Sequence, residues 1–205
     1  NRKFGFIDKN GEIMVNPFSD EVENFTEGAA LVTLKNKKGF VTLQGDWITP
    51  PMYDNASSFS AGYAALSLGG KYGYIDMSGE FAVPLQFSDA KPFNPNCRLA
   101  AVATAGKWGV LKIREHKSAE EAKNNQYGKG SIVLPMIYDE VVICSDGYIY
   151  VKKDGKCGIF SELGQEIYPV VCDSIDYSGK ESLTFSFEDV EAVSFRVTGN
   201  CARNE

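Results

Sequence analysis

The chain has 205 residues, 43% of them hydrophobic and 23% charged, and carries a formal net charge of −6. That is the balance of an ordinary globular protein. It sets DNA and RNA aside as partners, because nucleic-acid binders draw most of their affinity from basic groups placed against phosphates. No window reaches the ~18–20 apolar residues of a membrane-spanning helix. The chain opens on Asn1-Arg2-Lys3 without a Met and enters patterned sequence at once, so a fragment or processed form of unassigned compartment is expected.

The pattern is a repeat. A basic residue, then one residue, then glycine and a β-rich run occurs at Lys3-Phe4-Gly5, Lys37-Lys38-Gly39, Lys71-Tyr72-Gly73, Lys107-Trp108-Gly109 and Lys156-Cys157-Gly158, with glycines spaced 34, 34, 36 and 49. Other landmarks keep the same phase. A second glycine follows at Gly11, Gly45, Gly79 and Gly164, an acid at Asp20, Asp54, Asp89 and Asp173, and a proline at Pro50, Pro84 and Pro135. Asp139 joins the acids once an insertion near 115–130 is removed. Internal periodicity of this length is the signature of a repeat architecture.

In chain order each unit predicts three strands. The first is Ala29–Leu34, repeated at Tyr63–Leu68, Leu99–Thr104 and Tyr148–Lys153. A two-residue turn follows at Asn36-Lys37, Gly69-Gly70, Ala105-Gly106 and Asp154-Gly155, where Gly-Gly and Asp-Gly suit a hairpin. The second strand carries the motif glycine, as in Tyr72–Asp76. The third is short (Glu12–Val15, Trp47–Thr49, Glu80–Val83, Ser131–Leu134, Glu166–Tyr168) and is expected to end at the proline, which cannot donate to a ladder. Connectors of about twelve residues carry spaced aromatics, Phe18 and Phe25, Tyr53 and Phe59, Phe87 and Phe93, expected to plug the seam between units; so small a meander cannot bury a core alone. The expected product is an all-β open twisted array of antiparallel meanders over a single domain, 1–205, with a small closed β-propeller as the alternative. Residues 115–130 read as a polar loop with a capping-box spacing at Ser118 and Glu121. Residues 181–199 read as two capping strands.

Lys107-Trp108-Gly109, and Lys71-Tyr72-Gly73-Tyr74-Ile75-Asp76 with Gly79, Pro84 and Phe87, resemble the bacterial WG repeats. So do Pro51 with Tyr53-Asp54, and Phe59 with Gly62. The resemblance spans residues 1–178. The signature Trp stands only at Trp108 and gives way to Phe4, Lys38, Tyr72 and Cys157, whereas the glycine is kept throughout. The resemblance implies an interaction module without catalytic residues.

No residue set points to chemistry. The single histidine, His116, falls in the insertion, and any Ser-His-Asp or Cys-His site would have to pass through it. Asp20, Asp54, Asp89, Asp139 and Asp173 recur, whereas a catalytic pair is needed once; they are expected to accept backbone N–H groups in connector turns. Asp8 to Glu12 lacks the ligand set of a calcium loop. Cys97, Cys144, Cys157, Cys172 and Cys201 have no metal spacing and are expected as free thiols, with a disulfide among Cys144, Cys157 and Cys172 if the chain is exported. Tyr63, Tyr72, Tyr74, Tyr148 and Tyr150 are expected in seams, or else on an exposed face for peptide or sugar. The expectation is therefore a binding or scaffolding module for an unidentified protein or peptide, with no cofactor, metal or catalytic residue and with binding residues unassigned. Carbohydrate or cell-envelope binding is the alternative and a hydrolase the third reading.

Overall fold

A computed structural model describes residues 2–7, 9–114, 125–176, 182–187 and 190–196. His116, the capping-box pair Ser118 and Glu121, and Asp8 lie outside the described residues. The described chain is built of strands and turns, arranged in small antiparallel sheets that follow one another in sequence. Sheet one pairs β1 (Phe4–Ile7) with β2 (Ile13–Ser19). Sheet two joins β3 (Glu21–Val22), β4 (Ala29–Leu34), β5 (Lys37–Thr42) and β6 (Trp47–Tyr53). Sheet three joins β7 (Asn55–Ala56), β8 (Tyr63–Leu68), β9 (Lys71–Asp76) and β10 (Phe81–Phe87), and β11 (Asp89–Ala90) follows. Sheet four contains β12 (Leu99–Thr104), β13 (Lys107–Ile113) and β14 (Gly130–Tyr138). Sheet five joins β15 (Glu140–Ile143), β16 (Ile149–Lys153), β17 (Lys156–Phe160) and β18 (Glu166–Cys172); β19 (Ser174–Asp176), β20 (Ser182–Phe187) and β21 (Val190–Arg196) form the last sheet. Contacts divide the chain into two compact units, Asn1–Pro92 with His116–Lys129, and Phe93–Glu115 with Gly130–Glu205.

Among the described residues sheet one has two strands, whereas the expected three-strand meander is present in sheets two to five, and the connector adds to it. Its first residues, such as Glu21–Val22 and Asn55–Ala56, pair with the following strand and make a fourth, short strand. Such two-residue strands carry no apolar alternation, so no local pattern announces them.

Two boundaries differ from expectation. The first hairpin of sheet two turns at Lys35 and Asn36, not at Asn36-Lys37: both have positive φ, 51° and 62°, as Asp154 (51°) and Gly155 (80°) do in sheet five. Two successive positive φ values match the twist of the flanking strands. The third strand also does not stop at its proline. It runs on to Tyr53, Phe87, Tyr138 and Cys172, with Pro50, Pro84, Pro135 and Pro169 inside it. The ladder register shifts at each of these places. A bulge on an edge strand is where a residue without an N–H is tolerated.

The motif glycine faces that bulge. A Cβ on Gly39 would stand 2.6 Å from the Pro50 carbonyl carbon and from Pro51 N; on Gly73 it would stand 2.6 Å from the Val83 oxygen, and on Gly109 2.5 Å from the Leu134 oxygen. The glycine is thus required by close backbone approach, and proline and glycine are two halves of one kink.

Within each unit neighbouring sheets pack face to face, and the first strands are continuous buried apolar runs, Ala29-Ala30-Leu31-Val32 and Leu99-Ala100-Ala101-Val102. In the first unit, Leu31, Phe40 and Tyr53 of sheet two meet Ala64, Leu66 and Ile75 of sheet three around Phe59. Phe40 and Phe59 meet edge-on at 4.9 Å. Phe25 serves the seam between sheets one and two in the same way, 4.7 Å from Phe6. In the second unit, Leu99, Val110 and Tyr138 of sheet four pack on Ile149, Val151 and Phe160 of sheet five. The connector aromatics Phe25 and Phe59 do plug seams.

Candidate binding surface

The recurring aspartates are spent on holding sheets together. Asp54 Oδ1 accepts from Lys37 Nζ at 2.5 Å, at the start of β5, and Asp54 Oδ2 accepts from Gly69 N at 2.8 Å, in the hairpin of sheet three. Asp20 does the same with Lys3 (2.6 Å) and Lys35 N (2.8 Å). Asp139 pairs with Lys107 and accepts from Asp154 N at 2.7 Å; Asp173 pairs with Lys156. One carboxylate therefore ties the glycine strand of one sheet to the hairpin of the next. The carboxylates do accept backbone N–H groups, but from the hairpin 15 residues on and not from their own connector turn as expected, and the lysine of the Lys-x-Gly motif gains a function that spacing alone did not assign. Asp89 is the departure. It lies one residue late, accepts from its own neighbour Ala90 N at 2.8 Å, and leaves Ser88 in the clamp position.

The lysine ion pair, and then the hairpin N–H, hold Asp20, Asp54 and Asp139 below the ordinary carboxylate value of 3.8. A carboxyl whose folded value is depressed adds stability that is fully present above its unfolded value. That stability is lost as pH falls through the folded value. The melting temperature should therefore hold down to about pH 5 and fall progressively below the ordinary carboxylate range. Asp54→Asn should melt lower at neutral pH and show a shallower acid limb, as read by circular dichroism across pH.

A second tie was not legible beforehand. Glu27 sits in the connector turn of sheet two, and its carboxylate accepts Ala61 N at 2.9 Å and Gly62 N at 2.8 Å, the matching turn one repeat later. Glu23 accepts from Ser58 Oγ beside it at 2.7 Å.

The second glycine packs on the preceding repeat. A Cβ on Gly79 would lie 2.5 Å from the Ile48 oxygen of β6, and one on Gly164 2.7 Å from the Val133 oxygen of β14. The fourth copy has no such glycine within the period, and Gly128 supplies it: a Cβ there would lie 2.5 Å from the Ala82 oxygen of β10. The turn is also the same. Gly128 N donates to Asn125 O as Gly79 N donates to Asp76 O, and Asn125 Oδ1 accepts Tyr127 N as Asp76 Oδ1 accepts Ser78 N. Lys129 Nζ pairs with Asp76 at 2.9 Å, and Tyr127 stacks on Phe87 at 6.1 Å. The insertion expected over 115–130 thus ends before Asn125; residues 125–129 are the repeat's own turn, and Gly130 begins β14.

The tyrosines do not form an exposed face. Tyr74 and Tyr150 are buried, Tyr63, Tyr72 and Tyr148 half-buried, and Tyr74 Oη donates to Lys91 O at 2.7 Å. The exposed apolar set is different and recurs: Ile13 (64% exposed), Trp47 (45%) and Phe81 (45%) stand 34 residues apart at the first position of β2, β6 and β10. Each is paired in register with the glycine strand of its own sheet, Ile7↔Ile13, Val41↔Trp47 and Ile75↔Phe81. Phe18 meets Trp47 edge-on at 5.3 Å. These residues offer apolar contact area on an outer strand, with the Trp47 indole N–H as a hydrogen-bond donor and no acid–base chemistry.

Cys97, Cys157 and Cys172 are free thiols, as expected. Cys144 is not: it is disulfide-bonded, and since Cys157 and Cys172 are free, the bond is not the one expected among these three. Among the described residues no group of three His, Cys, Asp or Glu side chains is placed to hold a metal ion, and no helix is long and apolar enough to cross a membrane.

Among curated proteins, none matches the sequence. Among solved structures, Hsv2 of Kluyveromyces lactis matches at 10% identity and a TM-score of 0.50, over 91% of this chain and 64% of that one. A structure described as the eukaryotic initiation factor matches at 10% identity and a TM-score of 0.52, over 96% and 58%. These matches are of β-propeller type and show the fold alone. The chain spans about three fifths of the length of the structures it matches. The model of the WG containing repeat matches four times, at residues 4–38, 39–72, 72–108 and 128–157, and its last segment starts at Gly128, where the turn geometry resumes the repeat. With its glycine–proline kinks and Lys–Asp clamps in phase with those segments, the chain belongs to the family of WG-containing repeat proteins.

Proposed function

We propose that the chain is a non-enzymatic binding module that holds a protein or peptide partner through the exposed apolar positions of its outer strands. The observation that carries this is the recurrence of Ile13, Trp47 and Phe81, exposed at one register position in three successive sheets. Residues that only hold repeats together are buried or paired, as the aspartates and connector aromatics are. Trp47 touches Phe18 of sheet one at its edge, yet 45% of it stays exposed, as with Phe81 (45%) and Ile13 (64%), which is more surface than a seam contact needs. Pro17, Pro50, Pro51 and Pro84 interrupt the same strands, so a partner gains little by adding a strand to these edges and is held by side chains instead. Aromatic residues are the usual anchors of such contacts. The recurring carboxylates support a non-catalytic reading, since Asp20, Asp54 and Asp139 each already face a lysine and a backbone N–H.

Trp47 and Phe81 could equally stack on a sugar, and one experiment separates the two. A photo-crosslinking amino acid at position 47 should capture a discrete protein from source cells. Trp47→Ser with Phe81→Ser should abolish capture by a crosslinker at position 13 while leaving the melting temperature close to wild type, because exposed substitutions usually change stability by no more than about 0.5 kcal/mol. Capture untouched by the double variant would overturn the reading. A glycan-array signal that depends on Trp47, with no protein captured, would replace it with carbohydrate binding.

A further inference from the structure

One register position is shared by all five repeats. The residue before the motif glycine pairs with the last residue of the third strand: Phe4↔Ser19, Lys38↔Tyr53, Tyr72↔Phe87, Trp108↔Tyr138 and Cys157↔Cys172. In sheets three and four both members are aromatic, the kind of cross-strand pair that stabilises a sheet. In sheet five both members are cysteine. The aromatic signature is lost on the two strands together, and the same side-chain type replaces it on each.

The pair has the geometry of a bond waiting to form. Directly opposed residues of an antiparallel ladder have Cα atoms about 4.5–5.5 Å apart, inside the range a disulfide spans. Cys172 Sγ donates to the Cys157 carbonyl at 3.0 Å, so its thiol already points at the partner residue. Cys157 Sγ donates to the carbonyl of Asp173, the residue after Cys172, at 3.8 Å. Both thiols are free. Cys172 is fully buried, among Cys144, Tyr150 and Ile159, and Cys157 is half-buried at the edge of that cluster.

We propose that Cys157 and Cys172 form a redox-sensitive dithiol that closes to a cross-strand disulfide on exposure to a low-molecular-weight disulfide, stapling β18 to β17. The steps balance. The Cys157 thiolate, the more accessible of the two, attacks one sulfur of the oxidant and releases one equivalent of its thiolate. The Cys172 thiolate then attacks the Cys157 sulfur of the mixed disulfide and releases the second. The two protons lost by the cysteines go to the two released thiolates; the cysteine pair is oxidised by two electrons and the oxidant reduced by two. Burial first, and the neighbouring Cys157 second, push the Cys172 thiol up to about 11. That favours Cys157 as the site of first attack and makes the buried partner the resolving thiol. The consequence is local. Asp173, next after Cys172, pairs with Lys156, next before Cys157, so the bond would secure the same strand ends that this ion pair joins.

The sequence makes the test direct. No Lys or Arg lies between Cys157 and Lys180, so a single tryptic peptide, residues 157–180, carries both cysteines and no other. The folded chain is treated with glutathione disulfide, quenched with iodoacetamide and digested. The expected result is a peptide that takes up no alkyl group and weighs two hydrogens less than the reduced form, restored to double alkylation by dithiothreitol. In Cys172→Ser the reaction should stop at a glutathione adduct on Cys157. The oxidised wild type should melt above its reduced form by several degrees, and Cys157→Ser should abolish that difference. Double alkylation of the peptide under conditions that keep Cys144 in its disulfide would overturn the proposal. So would a stable glutathione adduct on Cys157 in the wild type, or a disulfide that leaves the melting temperature unchanged.

Discussion

Gly109→Val should lower the melting temperature by more than any surface change in the protein, and the reason is steric. A Cβ at Gly109 meets the Leu134 oxygen at 2.5 Å, the Pro135 carbonyl carbon at 2.8 Å and Met136 N at 2.9 Å, all of them backbone of β14, so no side chain can swing aside. The strand must move or the hairpin must open. Overpacking of this kind costs about 3 kcal/mol at the upper end of its usual range, or roughly 6–12 °C for a chain of this size. Gly106, three residues earlier, is the informative control. It sits in the hairpin with φ +78° and nothing within 4 Å of a Cβ. Asn tolerates that left-handed conformation, so Gly106→Asn should be nearly silent, whereas Gly109→Asn should be as damaging as Val. Thermal melts of the three variants settle it: equal effects at the two positions would mean that conformation, and not close approach, sets the motif glycine.

Phe59→Ala should cost about 3–5 kcal/mol, the range for removing a large aromatic from a packed core. Phe59 comes from a connector, yet it is buried between Phe40 of sheet two and the Leu66 and Ile75 side chains of sheet three. Neither sheet can close the resulting gap, because each is held in place by Asp54 and Glu27 at its rims. Chemical denaturation gives the measurement. The loss should appear in the unit that contains Asn1–Pro92, as faster amide exchange in β5, β8 and β9, before the second unit responds. A loss spread evenly over both units would show that the seam around Phe59 is not a local one.

The clamp residues show where a sequence stops being informative. Asp54 recurs in phase, and a backbone-accepting role follows from its residue type and its place after the third strand. Its partners, Lys37 and Gly69, lie 17 and 15 residues away on opposite sides in the chain and in different sheets. Nothing local connects them. The outer apolar set has the same character: Ile13, Trp47 and Phe81 are visible as a column of the repeat, but only burial separates them from Phe40 or Tyr74, which look equally apolar and lie at 0% exposure.

Period, strand type and turn chemistry were legible because each depends on neighbours a few residues apart and is restated in every repeat. Gly-Gly and Asp-Gly announce positive φ, and the recurring motif glycine announces the strand that carries it. Everything that joins one repeat to the next was settled in three dimensions. The connector's extra strand is as short as two residues, at Glu21–Val22 and Asn55–Ala56, and has no pattern there. The proline stays within its strand because the glycine opposite leaves room for a bulge. Gly128 restores the fourth copy although 49 residues, not 34, separate it from Gly79. The facing of Cys157 and Cys172 follows from a register that hairpin and bulge set jointly. Local chemistry repeats and can be counted, whereas contacts across a seam depend on how two sheets lie against each other, which no single window of sequence contains.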